Sequence, residues 1–447
     1  ARRQRQMCIR DRCELIQMGR RKLGLEVNRP GRTPGEPDIS IPVAQDLLKV
    51  KGVPIRDPEV SYYSREFPLE SFSLTESASA AWAEKEREKV SPEISKLYSD
   101  YQKKILPWVD RLADISKRSP SLSSDGTDIS NAVRAKAREL GYGEVGFVRF
   151  DKRYIYSSRR SHVRQDLPNA ICLAVEQDYV KTQEIPSMTA EEAQGDAYLK
   201  QAELSIMLAE YLLQSGYSAQ ISGPVWHFGP VIPMFVQAGL GQLGVNGQLL
   251  SPHFGSRARL QVLITDAPLT YDSPVDYGIY KLCETCQICF MRCPGKAIQA
   301  QRVWFRGVEK NKLITRRCRP VMTRFSGCGI CIKVCPVQKY GMAPVMEHYL
   351  ETGEILGKGS DDLEGFELQG KGYYPSGKLP SFDREFFDMP EGTQQDLALD
   401  ELNTQLSVSE DLTVTQKEEI WSRFQERVEA GAFKERRIVD MGMDIDV

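Results

Sequence analysis

Eight of the eleven cysteines in this 447-residue chain fall between positions 283 and 335. Cys283, Cys286, Cys289 and Cys293-Pro294 form a C-x2-C-x2-C-x3-C-P run; Cys318 follows, and Cys328, Cys331 and Cys335-Pro336 close the stretch. Four soft thiolates at such spacings wrap a cubane of iron and sulfur, and in two-cluster ferredoxins the cysteine before the proline ligates the other cluster. The spacing predicts one [4Fe-4S] cluster on Cys283, Cys286, Cys289 and Cys335, and a second on Cys318, Cys328, Cys331 and Cys293. Cys318 stands further upstream than the first ligand of a compact second run. A pair of zinc sites would share the C-x2-C element but rarely the x3-C-P ending. Structural disulfides suit clustered thiols less well still in a chain without an evident secretory signal. The stretch reads as an electron relay.

A relay needs something to reduce, and 447 residues leave room for two or three domains. The segment 211–265 contains no Asp, Glu or Lys, and its only formal charges are Arg257 and Arg259, in a chain with 27% charged residues. Such a segment is expected in the interior. A buried guanidinium needs a partner, so at least one of the two arginines should face an anion, a polarised hydroxyl or a cofactor carboxamide. Inside the segment, Gly239, Gly241 and Gly244 match the dinucleotide fingerprint G-x-G-x-x-G, with Asp266 near the place of the ribose carboxylate. That fingerprint requires a strand before it and a helix after it. Here a proline-interrupted segment, 230–238, precedes it, and Asn246-Gly247 with a strand-like 248–250 follows, so the match is rejected. A tight glycine loop allowing close backbone approach to a bulky cofactor fits better.

These elements must be positioned by the rest of the chain. Positions 6–12 look like a translated sequencing adapter, so 1–12 are set aside; 13–127 read as an N-terminal arm and helices. The arm, 30–75, is proline-rich and carries Tyr62, Tyr63, Phe67 and Phe72 over other structure. Pro92 and Pro107 are expected to break the helix-prone segment 78–112. In the core, 128–275, a helix over 128–140 ends at Gly141; strands follow at 145–150 and 170–175, with Cys172 as a plain core thiol. A long helix runs over about 189–214, and a strand over 259–265. On that long helix Tyr198, Ala202, Ser205 and Ala209 share a face, leaving either room for something broad and flat or ordinary close helix packing. The cysteine unit occupies 276–344. In the last part, 345–447, a helix over 342–352 leads to a glycine-rich loop at 353–377, phenylalanines at 382, 386 and 387, and a charged tail with one amphipathic helix near 416–429.

The ordered series from Ala238-Gly-Leu-Gly-Gln-Leu-Gly244, through Ser251-Pro-His-Phe-Gly-Ser-Arg257-Ala-Arg-Leu260 and Thr265-Asp-Ala-Pro-Leu269, to the two cysteine motifs resembles the corrinoid (cobalamin)-dependent reductive dehalogenases. It covers about 128–344, and the same core occurs in epoxyqueuosine reductases. The resemblance implies an α/β (α+β), nitroreductase-like corrinoid-binding core with an inserted bacterial-type two-[4Fe-4S] ferredoxin domain. It implies a base-off cobalamin-type corrinoid beside the two clusters. No D-x-H-x-x-G lower-ligand motif surrounds His162, His227, His253 or His348, although His227 could line the pocket. By position, Tyr198 matches the family's proton donor and Arg257 its basic residue, a cation that favours the phenolate left after proton transfer. Gly239, Gly241, Gly244, Asn246, Gly255 and Ser256 are the expected cofactor contacts. Epoxyqueuosine reductases use an aspartate shortly before the A-G-L-G motif; here 223–229 holds no carboxylate, which favours the dehalogenase.

The expected reaction is reductive dehalogenation of a small organohalide, with electrons passing through the clusters to the cobalt. The electrons would come from an external donor: a ferredoxin, a flavodoxin, a reductase or a membrane quinol system. A tRNA-modifying reductase predicts a basic RNA-facing surface, whereas the formal net charge is −2 with both signs interspersed, so no nucleic-acid partner is expected. A non-catalytic two-cluster carrier would leave the uncharged segment without a task. No apolar run reaches the roughly 20 residues of a membrane span. A cytoplasmic home is expected, with export or membrane association left open by the N-terminus.

Overall fold

The computed structural model describes Leu47, 78–120, 126–152, 155, 163–223, 227–305, 308–388 and scattered residues between 405 and 426. The aromatic arm, His162 and most of the charged tail lie outside the described residues.

The chain opens with α1 (Ala78–Val90) and α2 (Pro92–Lys117). The break expected at Pro92 is present, since a proline at the first helical position gives up no helix bond. The break expected at Pro107 is not: it lies inside unbroken α2. Its ring sits on the exposed side, while Ile94, Ile105, Leu112 and Ile115 anchor the opposite face, so packing offsets the missing hydrogen bond. Helix α3 (Ser130–Leu140) stops at Gly141, whose φ of 109° suits a residue without Cβ.

Strands β1 (Glu144–Arg149) and β2 (Asn169–Glu176), the short α4 (Tyr179–Thr182), the long α5 (Met188–Gln214) and β3 (Ala219–Ser222) follow. Helix α6 (Ile232–Gln237) then leads through the two-residue strands β4 (Gln242–Leu243) and β5 (Leu249–Leu250) to β6 (Ala258–Thr265). A wholly antiparallel sheet runs β1-β2-β6-β3. A helix, not a strand, precedes the glycine loop, and that is incompatible with a dinucleotide-binding βαβ unit. Along β2 the residues alternate between two cores. Ile171, Leu173 and Val175 pack under α2, α3 and α5, whereas Ala170, Cys172 and Ala174 pack with Phe150, Phe228 and Phe235. Both faces are thus covered, which explains why β2 reads as a continuous apolar run. Ala202, Ser205 and Ala209 are fully buried, and the two alanines belong to the first of these cores. The small-residue ladder is therefore close packing of α5 on the sheet, not a space for a flat group.

The cysteine-bearing unit begins with α7 (Ile279–Cys286) and α8 (Ile288–Met291), continues as a hairpin of β7 (Ile298–Phe305) and β8 (Val308–Leu313), and returns through α9 (Thr315–Arg324), α10 (Ile330–Lys333), α11 (Pro336–Tyr340) and α12 (Met342–Thr352). The glycine-rich segment expected to be a long loop contains one helical turn and a hairpin, β9 (Phe366–Leu368) with β10 (Gly372–Tyr374). Leu363, Phe366 and Leu368 join the same core as Ile288, Ile330 and Val334. Buried Arg292 clamps the segment by donating to the carbonyls of Glu364, Tyr374 and Lys378. Among the described residues no helix is long and apolar enough to cross a membrane.

Candidate functional site

The short helices of the cysteine unit turn at residues with positive φ, including Gln287 at 56° and Cys328 at 52°. Burial is the largest influence on all eight thiols and pushes them up, Cys318 to about 11 and Cys331 and Cys335 to about 12. Their mutual influence sorts them into two groups. Cys286 and Cys289 each feel Cys283 and Cys335, while Cys331 and Cys328 each feel Cys293 and Cys318. A weaker influence of Cys331 on Cys289 and Cys335 shows that the groups are neighbours. Among the described residues no three Cys, His, Asp or Glu side chains converge as they would on a single metal ion.

Backbone N–H groups point at the sulfurs. Ala297 donates to Cys293 Sγ at 3.2 Å, and Val245, Ile330 and Gln338 donate to Cys283, Cys328 and Cys335. Each such bond favours the thiolate that iron ligation requires. Val245 belongs to the glycine loop of the core, and neighbouring Asn246 donates from Nδ2 to the Cys331 carbonyl at 3.2 Å. The loop 244–246 thereby touches both thiol groups.

The other glycines are set by contacts within the chain. A Cβ at Gly239 would stand 2.5 Å from the Ser273 carbonyl oxygen, one at Gly241 2.5 Å from that of Leu250, and one at Gly244 2.8 Å from Asn246 Oδ1. At Gly255, with φ of 54°, it would stand 2.5 Å from Gln338 Cα. The close approach these glycines permit is to the protein itself, to backbone at Gly239, Gly241 and Gly255 and to side chains at Gly244. Gly255 in particular lets the turn before β6 press against the segment that follows Cys335.

Arg257 completes that seam. It is fully buried, with Nη2 2.9 Å from Glu176 Oε1 and its guanidinium 4.7 Å from the centre of the Tyr179 ring. Its Nη1 donates to the Gln338 carbonyl, and the Tyr179 hydroxyl donates to the next carbonyl, Lys339, at 2.9 Å. The buried cation therefore has an anion, as its setting demands. The arginine beside Tyr198 is Arg259, whose guanidinium lies 5.5 Å from the centre of that half-buried ring. Arg259 also donates to the side-chain oxygens of Gln177 and Gln194. Arg257 is drawn toward 338 because it lies in the turn before β6, where its N–H binds the Phe254 carbonyl.

Residue types alone did not single out Glu176, Gln177, Tyr179 and Gln338; a carboxylate directly after the apolar run of β2 was the available signal. Buried Gln338 has both amide ends without a hydrogen-bond partner, and Ser256 Oγ lacks one too. A cavity of about 260 Å³ lies against Gly239, bordered by Arg134, Glu144, His253, Asp272 and Tyr277. Tyr198 and Arg257 do not line it. Nor does His227, which packs on Gly223 and whose pKa burial holds below the ordinary imidazole value.

No family model matches the chain. It is 26% identical over 267 residues to the tetrachloroethene reductive dehalogenase of Sulfurospirillum multivorans, a match covering 50% of this chain and 52% of that one. It is 35% identical over 115 residues to the epoxyqueuosine reductase of Lactococcus garvieae, covering 24% and 32%. The chain thus spans about half the length, or less, of the curated relatives it matches. Among solved structures, a catabolic reductive dehalogenase in complex with 3-bromo-4-hydroxybenzoic acid superimposes with a TM-score of 0.56 at 20% identity, over 74% of this chain and 54% of that one. In sequence and in its mixed α/β fold, the chain is reductive dehalogenase-like.

Proposed function

We propose that the protein is a reductase that removes halide from a small organohalide, built as a nitroreductase-like corrinoid-binding core with an inserted two-[4Fe-4S] unit. The observation that carries the reading is the seam. One glycine loop binds Cys283 Sγ through Val245 and the Cys331 carbonyl through Asn246, which ties both thiol groups to the core. Cys283, Cys286, Cys289 and Cys335 would hold one cluster, and Cys293, Cys318, Cys328 and Cys331 the other. Ser256 and Gln338, whose buried polar atoms lack partners, suit the amide-bearing rim of a corrin, with Gly239, Gly241, Gly244, Asn246 and Gly255 shaping the loops around it. When bound, the clusters and the corrin supply one-electron transfer and a strongly reducing cobalt.

The chain's own residues bind, orient and protonate. Tyr198 is the proton donor in this reading. Arg259 lies against its ring, and Arg257 is the family-type cation that fixes the start of β6 to the cysteine unit. The halide departs with the bonding electron pair, and two electrons and one proton replace it. The test is bromide release from a brominated phenol by anaerobically reconstituted, chemically reduced protein. Release that falls at least a hundredfold in Tyr198→Phe, with both cofactors retained, supports the assignment; undiminished release removes Tyr198 from the mechanism. Absence of release by the parent protein rejects the reading.

A further inference from the structure

Arg257 and Arg259 are the only formal charges in the segment 211–265, and the fold treats them differently. Arg257 has Glu176 at 2.9 Å. Among the described residues Arg259 makes no ion pair, whereas Arg302 and Arg324, also largely removed from solvent, each have a glutamate. The Nε of Arg259 donates to Gln177 Oε1 at 2.8 Å, and its Nη2 donates to the same oxygen and to Gln194 Oε1 at 3.2 Å. Hydrogen bonds to neutral amides fix the plane of the guanidinium without cancelling its charge. The carboxyl that feels this cation, Glu191, accepts instead from the Tyr98 hydroxyl, and burial pushes it toward its neutral form. That leaves Nη1, which no described residue accepts from. The guanidinium lies 5.5 Å from the centre of the Tyr198 ring, whose hydroxyl likewise bonds to no described residue. Both side chains are half-buried, so each keeps some contact with solvent. A partly desolvated cation without a counter-ion is costly, and an incoming anionic oxygen offsets that cost.

We propose that Arg259 Nη1 receives an anionic oxygen of the substrate, a carboxylate or a phenolate, so that the organohalide this chain accepts is an acid rather than a neutral haloalkane or haloalkene. The proposal rests on the reading of Tyr198 as the proton donor. Anchoring the charged end of the molecule beside Tyr198 brings the remainder to its hydroxyl, and Gln177 and Gln194 hold the anchor in place. Arg259 takes no part in breaking the carbon–halogen bond; it sets which molecules bind. A site built to meet one polar partner discriminates strongly against the analogue that lacks it, because the site is then left unpaired.

The test uses the full chain, reconstituted anaerobically with iron, sulfide and cobalamin, and two probes of nearly equal shape, 3-bromobenzoate and the neutral 3-bromobenzamide. Isothermal titration, which needs no turnover, should find that the parent binds the acid about tenfold more tightly than the amide. Arg259→Gln should lose about tenfold in affinity for the acid with the amide unchanged, and Arg259→Lys should recover part of the loss. In turnover the loss should fall on KM for the acid and leave kcat near that of the parent. Equal affinity of the parent for the two probes overturns the proposal, and that comparison holds even if Arg259→Gln fails to keep its metals. A loss in Arg259→Gln that is the same for both probes also overturns it, since a merely structural arginine would give that result. So does acid binding that is present with the clusters alone and abolished by cobalamin, because the cation would then serve the cofactor's phosphate. Arg259-dependent binding of the acid with no bromide release keeps the anion site and removes the dehalogenase reading. Bromide release with no preference for the acid removes the site and leaves that reading standing.

Discussion

Replacing Gly255 by alanine separates the seam from ordinary glycine strain. Two glycines with similar backbone angles make the comparison clean: Gly255 at φ 54° and Gly247 at φ 74°. A Cβ at Gly247 meets nothing within 4 Å, so alanine there costs only its left-handed conformation, about 1–2 kcal/mol. At Gly255 the same Cβ would stand 2.5 Å from Gln338 Cα, 2.8 Å from its nitrogen and 2.9 Å from the Val337 carbonyl oxygen, all backbone atoms that cannot swing aside. Overpacking of this kind adds about 1–3 kcal/mol. The entropy that alanine removes from the unfolded chain is common to both variants and cancels in the difference. Urea denaturation should therefore find Gly255→Ala less stable than Gly247→Ala by about 1–3 kcal/mol. Displacing 337–338 also disturbs the N–H groups that reach Cys335, so iron retention after reconstitution should fall in Gly255→Ala and not in Gly247→Ala. Equal stability and equal iron content would refute the claim that the turn before β6 braces the cysteine unit.

Breaking the buried pair with Arg257→Met leaves Glu176 without its cation and should cost about 3–5 kcal/mol in a denaturant titration, whereas Arg257→Met with Glu176→Gln should recover much of it. Arg292→Ala, which strips three carbonyls of their donor, should cost about 3 kcal/mol or more and open 353–378 to limited proteolysis. Burial, the largest influence on Glu191, raises its pKa against the lowering effects of the Tyr98 hydrogen bond and of Arg259. A carboxyl whose folded pKa exceeds its unfolded value stabilises the fold below the unfolded pKa, and that contribution is lost as pH rises through the folded pKa. Glu191→Gln should therefore flatten the fall in stability as pH rises above the ordinary carboxylate range, and an unchanged pH profile would contradict this.

Much of the core was legible because strong local signals coincided there with burial. The Gly141 stop and the continuous apolar run of β2 each match a feature that a backbone requirement or a two-sided core imposes. The rejected dinucleotide fingerprint was legible for a similar reason, since the prolines before it point to something other than a first strand. Elsewhere tertiary packing decided the outcome. Pro107 looked like a helix break, but apolar anchors on the opposite face of α2 hold it continuous. The segment 353–377 looked like a loop because its glycines are dense; an arginine some seventy residues away supplies the bonds that order it. The partners of the two arginines depended on which way each side chain leaves the start of β6, and neither spacing nor composition encodes that direction.

In the proposed enzyme one chain joins two crossed cysteine clusters to a corrin held by the core. Anaerobic reconstitution with iron, sulfide and cobalamin, followed by metal analysis of the desalted protein, tests it most directly. About eight iron and eight sulfide with about one cobalt per chain are expected. Cys289→Ser and Cys318→Ser should each lose about half of the iron, with different clusters surviving in the electron paramagnetic resonance spectra. Zinc in place of iron, a parent protein that keeps no cobalt, or two variants that lose the same cluster would contradict it.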